Sequence, residues 1–435
     1  MTNAATNSLD IEITGSQALS KIHSRLLPFL CLLFIVNYLD RTNVAMAKLT
    51  MLADAHLTNA TYGLGAGLFF IGYFFFEVPS NLILHRVGAR RWIARIMITW
   101  GLCSAAMFLT RGPRSFYALR FLLGLAEAGF FPGIVFYLTY WIPVRQRARA
   151  LALFLTATAI SGAIGNPLAG LLLKLDGLAG LHGWQWLFIL EGVPPIVLGI
   201  LILSSSALPD CPADAAWLSA EQVKWIEDEL AREGEHPRAS HVADLRAAAD
   251  GRLALLSMIY FLLIMGLYGI VYWVPSIVKS MTGSSNAMVG LMSALPFVIG
   301  AVTMVAIGAH ADRTDERRWH VAVCALTGAI GIAALAASTG TAVGMTALCV
   351  AAVGIFGTLG PFWAIPTRYL RGTAAAGGLA VINSIGALSG FVAPYAIGYA
   401  KDRTGSYAAG LLVVAVSLAL GSMLVLCVPR ETDER

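Results

Sequence analysis

Long apolar runs alternate with short polar segments along almost the whole chain. Twelve runs can be marked, and each is at least 20 residues long. About 20 apolar residues suffice to cross a bilayer as a helix, and backbone groups in hydrocarbon need internal hydrogen bonds, so each run predicts a transmembrane helix. The runs are approximately 27–47, 62–84, 91–110, 115–139, 147–173, 184–207, 252–280, 286–309, 319–338, 343–368, 374–400 and 407–428.

One long polar stretch separates the first six runs from the last six. Within it, residues 219–232 predict an amphipathic surface helix that begins with a capping box of Ser219 and Gln222. The polar positions of this helix are Glu221, Lys224, Glu227 and Asp228. The expected organisation is a cytoplasmic tail (1–26), a six-helix bundle (27–207), a cytoplasmic linker (208–251), a second six-helix bundle (252–428) and a cytoplasmic tail (429–435).

Composition agrees with a membrane protein. Apolar residues make up 57% of the chain and charged residues only 13%, which excludes a soluble enzyme, a disordered chain and a fibrous protein. A transmembrane β-barrel is disfavoured, since its strands would be short and alternate in polarity. The six cysteines form no CxxC pair and indicate neither a metal site nor a disulfide framework. Residues 1–26 are too polar for a signal peptide.

The basic residues predict the orientation in the membrane. If both termini are cytoplasmic, the inner segments hold 20 Lys and Arg residues and the outer segments hold seven, with Lys48 counted among the seven. Cytoplasmic loops of membrane proteins carry such an excess, so we expect both termini inside. The net charge of +5 is therefore no sign of nucleic-acid binding.

The two halves repeat each other. The loop at 81–91 after the second run has a counterpart at 308–318 after the eighth, and the Gly and Pro pattern of 162–170 has a counterpart at 386–398. Small residues at such spacing let helices approach closely. Parallel halves of this kind recur in secondary transporters, whose substrate site lies between them near the membrane midplane.

Specific motifs then identify a family resemblance. They are NYLDRTN at 37–43, FEVPSN at 76–81, RFLLGLAEAGFFPG at 120–133 and WQWLFILEG at 184–192. Together with the repeated loops, they resemble the major facilitator superfamily across essentially the whole chain, and within it the anion:cation symporter family. The resemblance implies an all-α fold of twelve transmembrane helices in two pseudo-symmetric six-helix bundles. It also implies proton-driven import of an organic anion, such as a sugar acid, tartrate, phthalate or a hydroxylated aromatic acid, across a bacterial inner membrane.

One loop departs from the family pattern. Asn81 and His85 stand where the family usually has Gly and Asp, whereas the second copy keeps Gly308 and Asp312. The usual Asp-mediated cytoplasmic latch is therefore not expected in the first half. The residues given gating or structural roles are Glu77, Asn81, Arg86, Gly88, Arg90, Glu191, Asp312 and Arg313.

Six charged residues fall well inside the runs of the first half, whereas the interiors of the last six runs hold none. They are Asp40, Arg41, Glu77, Arg120, Glu127 and Glu191. A charge in the bilayer is costly and is normally paired, protonated or exposed to a watery cavity. We therefore expect proton chemistry in the first half and neutral substrate contacts from the second. Glu191 precedes Gly192 and Pro194, where a helix break is expected.

Two pairs of these charges suggest specific roles. Arg120 and Glu127 are two helical turns apart on nearly one face, so they can reach one cavity without direct contact. If transport moves Arg120 relative to Glu127, the carboxyl would gain or lose a proton; the alternative is a static buried ion pair. Asp40 and Arg41 point about 100° apart and must have different partners. Arg41 is the candidate clamp for a carboxylate, and Asp40 a second proton site.

In the resembling family, the matching Asp and Glu are the protonatable pair and the matching Arg holds the substrate. Candidate neutral contacts are side chains that offer a hydrogen bond or an aromatic wall, although single aromatic residues often form interface belts instead. These candidates are Tyr38, Tyr73, Asn166, Tyr268, Tyr272, Trp363, Asn383 and Ser384. Trp363 lies in a region of the tenth run, Pro361 to Pro366, that is expected to be broken.

The expected partners are a small organic anion, protons and the lipid bilayer, with no cofactor, no metal and no nucleic acid, and with the chain as a monomer. A proton-driven exporter is the alternative within transport. A membrane-embedded enzyme would need a convergent catalytic set inside the runs, and the eight histidines lie almost entirely in loops or at run ends. A sensor would need a signalling domain, for which neither the termini nor the central polar stretch is long enough.

Overall fold

The computed structural model describes residues 2–205, 207–232, 251–369 and 373–429, and regular structure in these residues is helical. The linker residues 233–250 and the tail residues 430–435 lie outside the described part. The helices are α1 (Thr2–Asp54), α2 (Asn59–Val87), α3 (Ala89–Ala106), α4 (Pro113–Glu127), α5 (Phe130–Thr139), α6 (Val144–Leu172), α7 (Gly183–Ser204), α8 (Ala220–Arg232), α9 (Gly251–Thr282), α10 (Asn286–Thr314), α11 (Arg318–Ala337), α12 (Thr341–Ala364), α13 (Pro366–Tyr369), α14 (Thr373–Ala387), α15 (Ser389–Thr404) and α16 (Ala408–Leu426).

Twelve helical segments are long and apolar enough to span a membrane, which confirms the twelve predicted spans. The fourth span consists of α4 and α5, and the eleventh contains most of α14 together with α15. The first helix begins at Thr2, so the polar residues 2–26 continue the helix of the first span. The helices α1 to α7 form the first half and α9 to α16 form the second half.

The helix breaks agree only in part with those expected from proline. The fourth span breaks directly after Glu127, where Ala128 is extended (ψ 134°) and Gly129 has φ 87°, a left-handed value that favours glycine. The tenth span continues through Pro361 and breaks at Ile365, between α12 and α13, which confirms a break within the expected region from Pro361 to Pro366. The break expected after Glu191 is wrong, because α7 runs unbroken through both of its prolines. In a packed bundle, neighbouring helices can compensate for the missing N–H of a proline.

Two pairs of helices pack extensively between the halves at one end of the bundle, which we call the distal end. This end carries the loops 55–58, 173–182, 283–285 and 405–407, and the opposite end, which carries α8, is called the linker end. At the distal end α2 packs on α15 and α6 packs on α10. A Cβ on Gly63 would collide with the Pro394 backbone oxygen, and a Cβ on Gly290 with that of Asn166. The small residues therefore allow the halves to close tightly here.

A carboxylate strengthens the same closure. Asp402 of α15 accepts hydrogen bonds from the backbone N–H groups of Asn59 (3.2 Å) and Ala60 (2.6 Å), and from Asn59 Nδ2 (2.8 Å). These N–H groups belong to the first turn of α2, where a helix has unpaired donors and a partial positive charge. The second half thus caps a helix of the first half at the distal end.

The linker end carries the amphipathic helix. α8 begins with the predicted capping box: the Ser219 N–H donates to Gln222 Oε1 (3.2 Å), and the Gln222 N–H donates to Ser219 Oγ (3.3 Å). The four predicted polar positions of this helix are exposed, whereas Gln222 and Ile226 are buried. Lys21 Nζ of α1 donates to Gln222 Oε1 at 2.9 Å, so the helix is attached to the first half.

Valine at Gly290 should prevent this distal closure. The added side chain would collide with α6, and overpacking of this kind costs about 1–3 kcal/mol, which favours states with the distal end open. We expect a cysteine at Ala393, which is fully buried here, to react about tenfold faster with a water-soluble maleimide in the Gly290→Val chain than in the parent, in a background without native cysteines. Gly308→Val is the matched control, because a Cβ there meets no atom within 4 Å. Equal rates in all three chains would contradict the prediction.

Candidate functional site between the halves

A cavity lies between the two halves and takes its walls from both. It contains about 810 Å³ of empty space, part of it open to solvent. The lining is mostly aromatic and aliphatic, with one charged side chain, Arg41. The first half contributes Phe34, Tyr38, Arg41, Phe70, Tyr73, Phe131, Leu155 and Thr158, and the second half contributes Tyr260, Ile264, Leu267, Tyr268, Met304, Leu359, Trp363, Asn383, Gly386 and Ala387.

Arg41 is paired with Glu127. Its Nε donates to Glu127 Oε1 at 3.1 Å, and its Nη2 makes a second hydrogen bond and ion pair with the same oxygen. The guanidinium also lies over the rings of Tyr38 (5.2 Å), Phe69 (5.2 Å) and Tyr73 (5.5 Å). The Glu127 side chain is only 1% exposed. The cation that faces the cavity, Arg41, is therefore already paired with the buried Glu127 carboxylate. A substrate carboxylate would have to compete with Glu127 for the guanidinium.

Asp40 belongs to a different network, as the 100° offset from Arg41 predicts. Its carboxylate accepts hydrogen bonds from Trp100 Nε1 and Ser104 Oγ of α3, and from Asn43 Nδ2 at 2.9 Å. The residue is 1% exposed and is not part of the cavity lining. Asp40 is thus held inside the first half, while its neighbour in sequence faces the cavity.

Arg120 is buried without direct contact to Glu127, as the two-turn spacing predicts. Its Nη2 lies 3.5 Å from the Ala66 backbone oxygen, and its guanidinium lies 4.9 Å from the centre of the Phe69 ring. Arg120 is not part of the cavity lining. Phe69 therefore stands between the two arginines, since Arg41 also packs on this ring.

Glu77 links the halves on the side of the cavity toward the linker end. It lies on α2, and its carboxylate accepts hydrogen bonds from Asn383 Nδ2 (3.2 Å) and Ser384 Oγ (3.1 Å) of α14. Glu77 is 4% exposed. Asn383 also lines the cavity, so this contact joins the cavity wall to a polar connection between the halves.

Six of the predicted substrate residues line the cavity. They are Tyr38, Arg41, Tyr73, Tyr268, Trp363 and Asn383.

Three predicted substrate residues lie elsewhere. Ser384 donates to Glu77. The backbone oxygen of Tyr272 accepts from the Tyr62 hydroxyl at 3.1 Å. The Nδ2 of Asn166 donates to Gly162 within α6 at 2.8 Å. In this state, these three contribute to contacts within or between the halves outside the cavity lining.

The first-half loop at the linker end is held by an arginine. Arg90 follows Gly88, and its backbone N–H donates to Asp210 Oδ1 at 2.8 Å. Its Nε and Nη2 donate to the backbone oxygens of Ile202 (2.9 Å) and Leu203 (2.8 Å) at the end of α7. The first loop lacks the Asp that is usual at this place. Asp210, which follows the sixth span, supplies a carboxylate to this loop instead.

The other predicted gating residues lie close to the same end. Asp312 forms an ion pair with Arg317 (3.0 Å) in the second-half loop, and Arg313 and Arg86 are exposed. The Oδ1 of Asn81 is buried without a hydrogen-bond partner among the described residues.

Glu191 is 6% exposed, and neither of its carboxyl oxygens has a hydrogen-bond partner within the described ranges. A Cβ on Gly101 would lie 2.7 Å from the backbone oxygen of Gly192, the next residue, so α3 and α7 pack closely beside Glu191. The described part of the chain holds no group of three or more His, Cys, Asp or Glu side chains that could hold a metal ion.

Comparison with known proteins decides the family. The family model described as Major Facilitator Superfamily matches residues 30–394. The chain belongs to this superfamily. A putative tartrate transporter of Agrobacterium vitis is 44% identical over 420 residues, covering 96% of each chain. A quinolone resistance transporter of Acinetobacter baumannii is 43% identical over 412 residues, covering 94% of each.

Further relatives agree with this membership of the major facilitator superfamily. The putative metabolite transport protein NicT of Pseudomonas putida is 42% identical over 436 residues, covering 100% of this chain and 99% of that one. The fold resembles the inward-facing, unoccupied crystal structure of a bacterial homologue of the human lysosomal transporter Spinster, with a TM-score of 0.77, 16% identity and coverage of 93% and 96%. The chain is therefore a multi-pass membrane protein and a secondary transporter of organic substrates, and its relatives are transporters rather than enzymes.

The sequence does not indicate that several residues of this major facilitator site line the cavity. Phe34, Phe131, Thr158 and Met304 line the cavity, but they occur among many similar residues in apolar runs. Lys48 was assigned to an outer loop, and that assignment is wrong: it lies inside α1 and is 4% exposed. Its position seven residues after Arg41, about two helical turns, is the signal that could have found it.

Proposed function

We propose that the chain is a proton-coupled symporter that takes up a small organic anion by alternating access. The observation that carries this proposal is Arg41, the only charged side chain among the described residues that line the cavity, held by a carboxylate that a proton can neutralise. Arginine stays protonated and binds carboxylates with two hydrogen bonds.

The lining suggests the class of anion. Tyr38, Tyr73 and Tyr268 offer both hydroxyl groups and ring faces, and Asn383 offers an amide. One clamp with several neutral donors suits a monocarboxylate that carries hydroxyls or a ring, such as a sugar acid or a hydroxylated aromatic acid. Tartrate-like diacids remain candidates, because two of the relatives are named as putative tartrate transporters.

The ion pair suggests how a proton drives uptake. While Glu127 is charged, Arg41 is occupied. A substrate carboxylate that joins them places two anions on one cation in a poorly solvated site, which is unfavourable. Protonation of Glu127 removes one anion and frees Arg41 for the substrate. Asp40, buried among donors in the same half, is the proposed second proton site.

Gating follows from the contacts between the halves. We place the chain in the bacterial inner membrane as a monomer with both termini cytoplasmic, so that the linker end faces the cytoplasm. The distal contacts of α2 with α15 and of α6 with α10 then close the outer side. Glu77, with Asn383 and Ser384, is the proposed inner gate. Because the outer contacts and this inner contact are both formed, we assign the arrangement to a state closed toward the outside, in which breaking the Glu77 contact would release the substrate inward.

Thermal stabilisation of the purified protein tests the substrate class. Binding to the native state raises its apparent stability with the logarithm of ligand excess, by about 2.7 kcal/mol at 100 times Kd. We expect a sugar acid, a tartrate or a hydroxylated aromatic acid in a panel to raise the melting temperature, and the same acid to accumulate in proteoliposomes under an inward proton gradient. Matched neutral alcohols or amides should have no effect.

A proton-driven exporter is the second candidate, and the relative named for quinolone resistance favours testing it. In that case a quinolone would stabilise the protein, and an outward-directed flux would depend on the proton gradient. Stabilisation by quinolones with no response to any acid of the panel would overturn the uptake proposal.

A further inference from the structure

A buried lysine lies above the clamp on the same helix. Lys48 follows Arg41 by seven residues of α1, which is two turns, about 10.5 Å closer to the distal end and on nearly the same face. Its Nζ lies 3.0 Å from Ser276 Oγ and 3.7 Å from the centre of the Trp273 ring. The residue is 4% exposed. The two cations therefore mark one path along α1, from the distal end to the cavity.

Lys48 is buried and forms no ion pair with any residue that the structure describes. No carboxylate of the described residues lies within 4.0 Å of its Nζ. Asp402, an acidic residue at this end, already accepts hydrogen bonds from the first turn of α2. Another cation, Lys401, lies 4.6 Å from the centre of the Tyr407 ring, which also borders Lys48 at 5.7 Å. Burial of an unpaired ammonium is costly, and the aromatic rings compensate only part of that cost.

The groups around Lys48 are divided between the halves. Ser276 and Trp273 lie on α9 and Tyr407 lies just before α16, so all three belong to the second half. Tyr62 of α2, with its ring centre 5.1 Å from Nζ, belongs to the same half as Lys48. When the halves separate at the distal end, Lys48 loses its hydrogen bond and two of its three rings. Its ammonium then faces the opening with no anion beside it.

We propose that Lys48 forms an anion-docking site in the distally open state, which binds a carboxylate before the carboxylate reaches Arg41. When the anion leaves Lys48, the rings and Ser276 close around the ammonium again. Lys48 is therefore compatible with the state in which the distal end is closed. The proposal rests on the proposed function, because it assumes that anions enter at the distal end. A purely mechanical latch between α1 and α9 is the competing explanation.

The first experiment needs no knowledge of the substrate. A cysteine at Tyr62, in a background without native cysteines, stays beside Lys48 when the halves separate, because both lie in the first half. Its reaction rates are measured with an anionic reagent, 2-sulfonatoethyl methanethiosulfonate, and a cationic one, 2-(trimethylammonium)ethyl methanethiosulfonate. We expect Lys48→Met to lower the anionic-to-cationic rate ratio about tenfold at low salt, and less at high salt.

The control variants separate charge from packing. Lys48→Arg should keep the ratio, and Lys401→Gln, which removes a cation of the second half at the same end, should change it little. Methionine matches lysine in shape and removes a buried unpaired charge, so this variant is expected to fold; Lys48→Gln gives a second neutral side chain. If the neutral variants change both rates equally and leave the ratio unchanged, Lys48 is only a latch and the docking site is wrong.

The second experiment uses L-tartrate as the probe in proteoliposomes. We expect Lys48→Met to raise the KM for uptake from the distal side about tenfold, with the kcat for this direction within about twofold. Because the substitution cannot change the overall equilibrium, kcat/KM from the linker side should fall by the same factor. A loss of kcat from the distal side with an unchanged KM would contradict docking. If the unmodified chain transports neither tartrate nor any other acid of the panel, the proposed function fails, while the reagent ratio still decides whether Lys48 attracts anions.

Discussion

Replacing Arg41 by alanine is expected to abolish substrate binding and uptake. The guanidinium is the charged group of the cavity lining, and truncation of a buried partner of a charge pair costs about 2–5 kcal/mol or more, which corresponds to about 30-fold to several thousand-fold in Kd. At concentrations 100 times the parent Kd, the acid that stabilises the parent protein should stabilise the variant by at most about 0.9 kcal/mol, about a third of the effect on the parent. Uptake in proteoliposomes should fall to background.

A structural role of Arg41 must be separated from substrate binding. Arg41→Ala leaves the Glu127 carboxylate buried without its partner, which is destabilising in itself. The double variant with Glu127→Gln removes that unpaired charge. If the double variant binds the acid with parent affinity, Arg41 is no clamp. Arg41→Lys keeps the charge but loses the planar fork of donors, so we expect at least about tenfold weaker binding.

The sequence predicts the architecture because membrane crossing imposes a length. Each apolar run is long enough to span a bilayer, and the described helices contain twelve spans in the predicted order. Helix breaks were predicted less well. The fourth span breaks at Gly129, inside a run with no proline before Pro132, whereas α7 crosses Pro194 without a break. Local composition does not state which neighbouring helices satisfy a freed backbone group.

The site was predicted in part, and helical periodicity explains which part. The 100° between Asp40 and Arg41 assigns them to different networks, and their partners confirm this: Trp100 for Asp40 and Glu127 for Arg41. The pairing of Arg41 with Glu127 joins residues 86 positions apart, and the rotation of two helices about their axes decides it. A single sequence contains no information on that rotation, so the sequence analysis does not predict that Arg41 pairs with Glu127.

Lys48 is a second residue whose surroundings the sequence does not predict. A lysine near the end of an apolar run normally extends to the membrane interface, and this expectation placed it in a loop. In the structure α1 continues to Asp54, and the rings of Tyr62, Trp273 and Tyr407 surround the ammonium. Three elements distant in sequence form that cage, so only the fold reveals it.

Glu127→Gln is expected to separate exchange from proton-driven accumulation. Glutamine has the shape of a protonated glutamate and can still accept from Arg41, but it cannot take up or release a proton. The variant should therefore bind the acid at any pH at which the acid is ionised, and exchange internal for external substrate at a rate within about an order of magnitude of the parent. Accumulation driven by an inward proton gradient should be lost, because the substrate no longer requires a proton to reach Arg41.

Two transport assays on the same proteoliposomes measure this difference. Counterflow reports exchange without net proton movement, and uptake under an imposed pH gradient reports coupling. Glu191→Gln is the matched control: it neutralises another buried carboxyl of the first half, 6% exposed and outside the cavity lining, and should keep accumulation. If Glu127→Gln still accumulates the acid against its gradient, Glu127 does not couple proton and substrate. Coupling would then have to be sought at Asp40, whose carboxylate is enclosed by Trp100 and Ser104 in the same half.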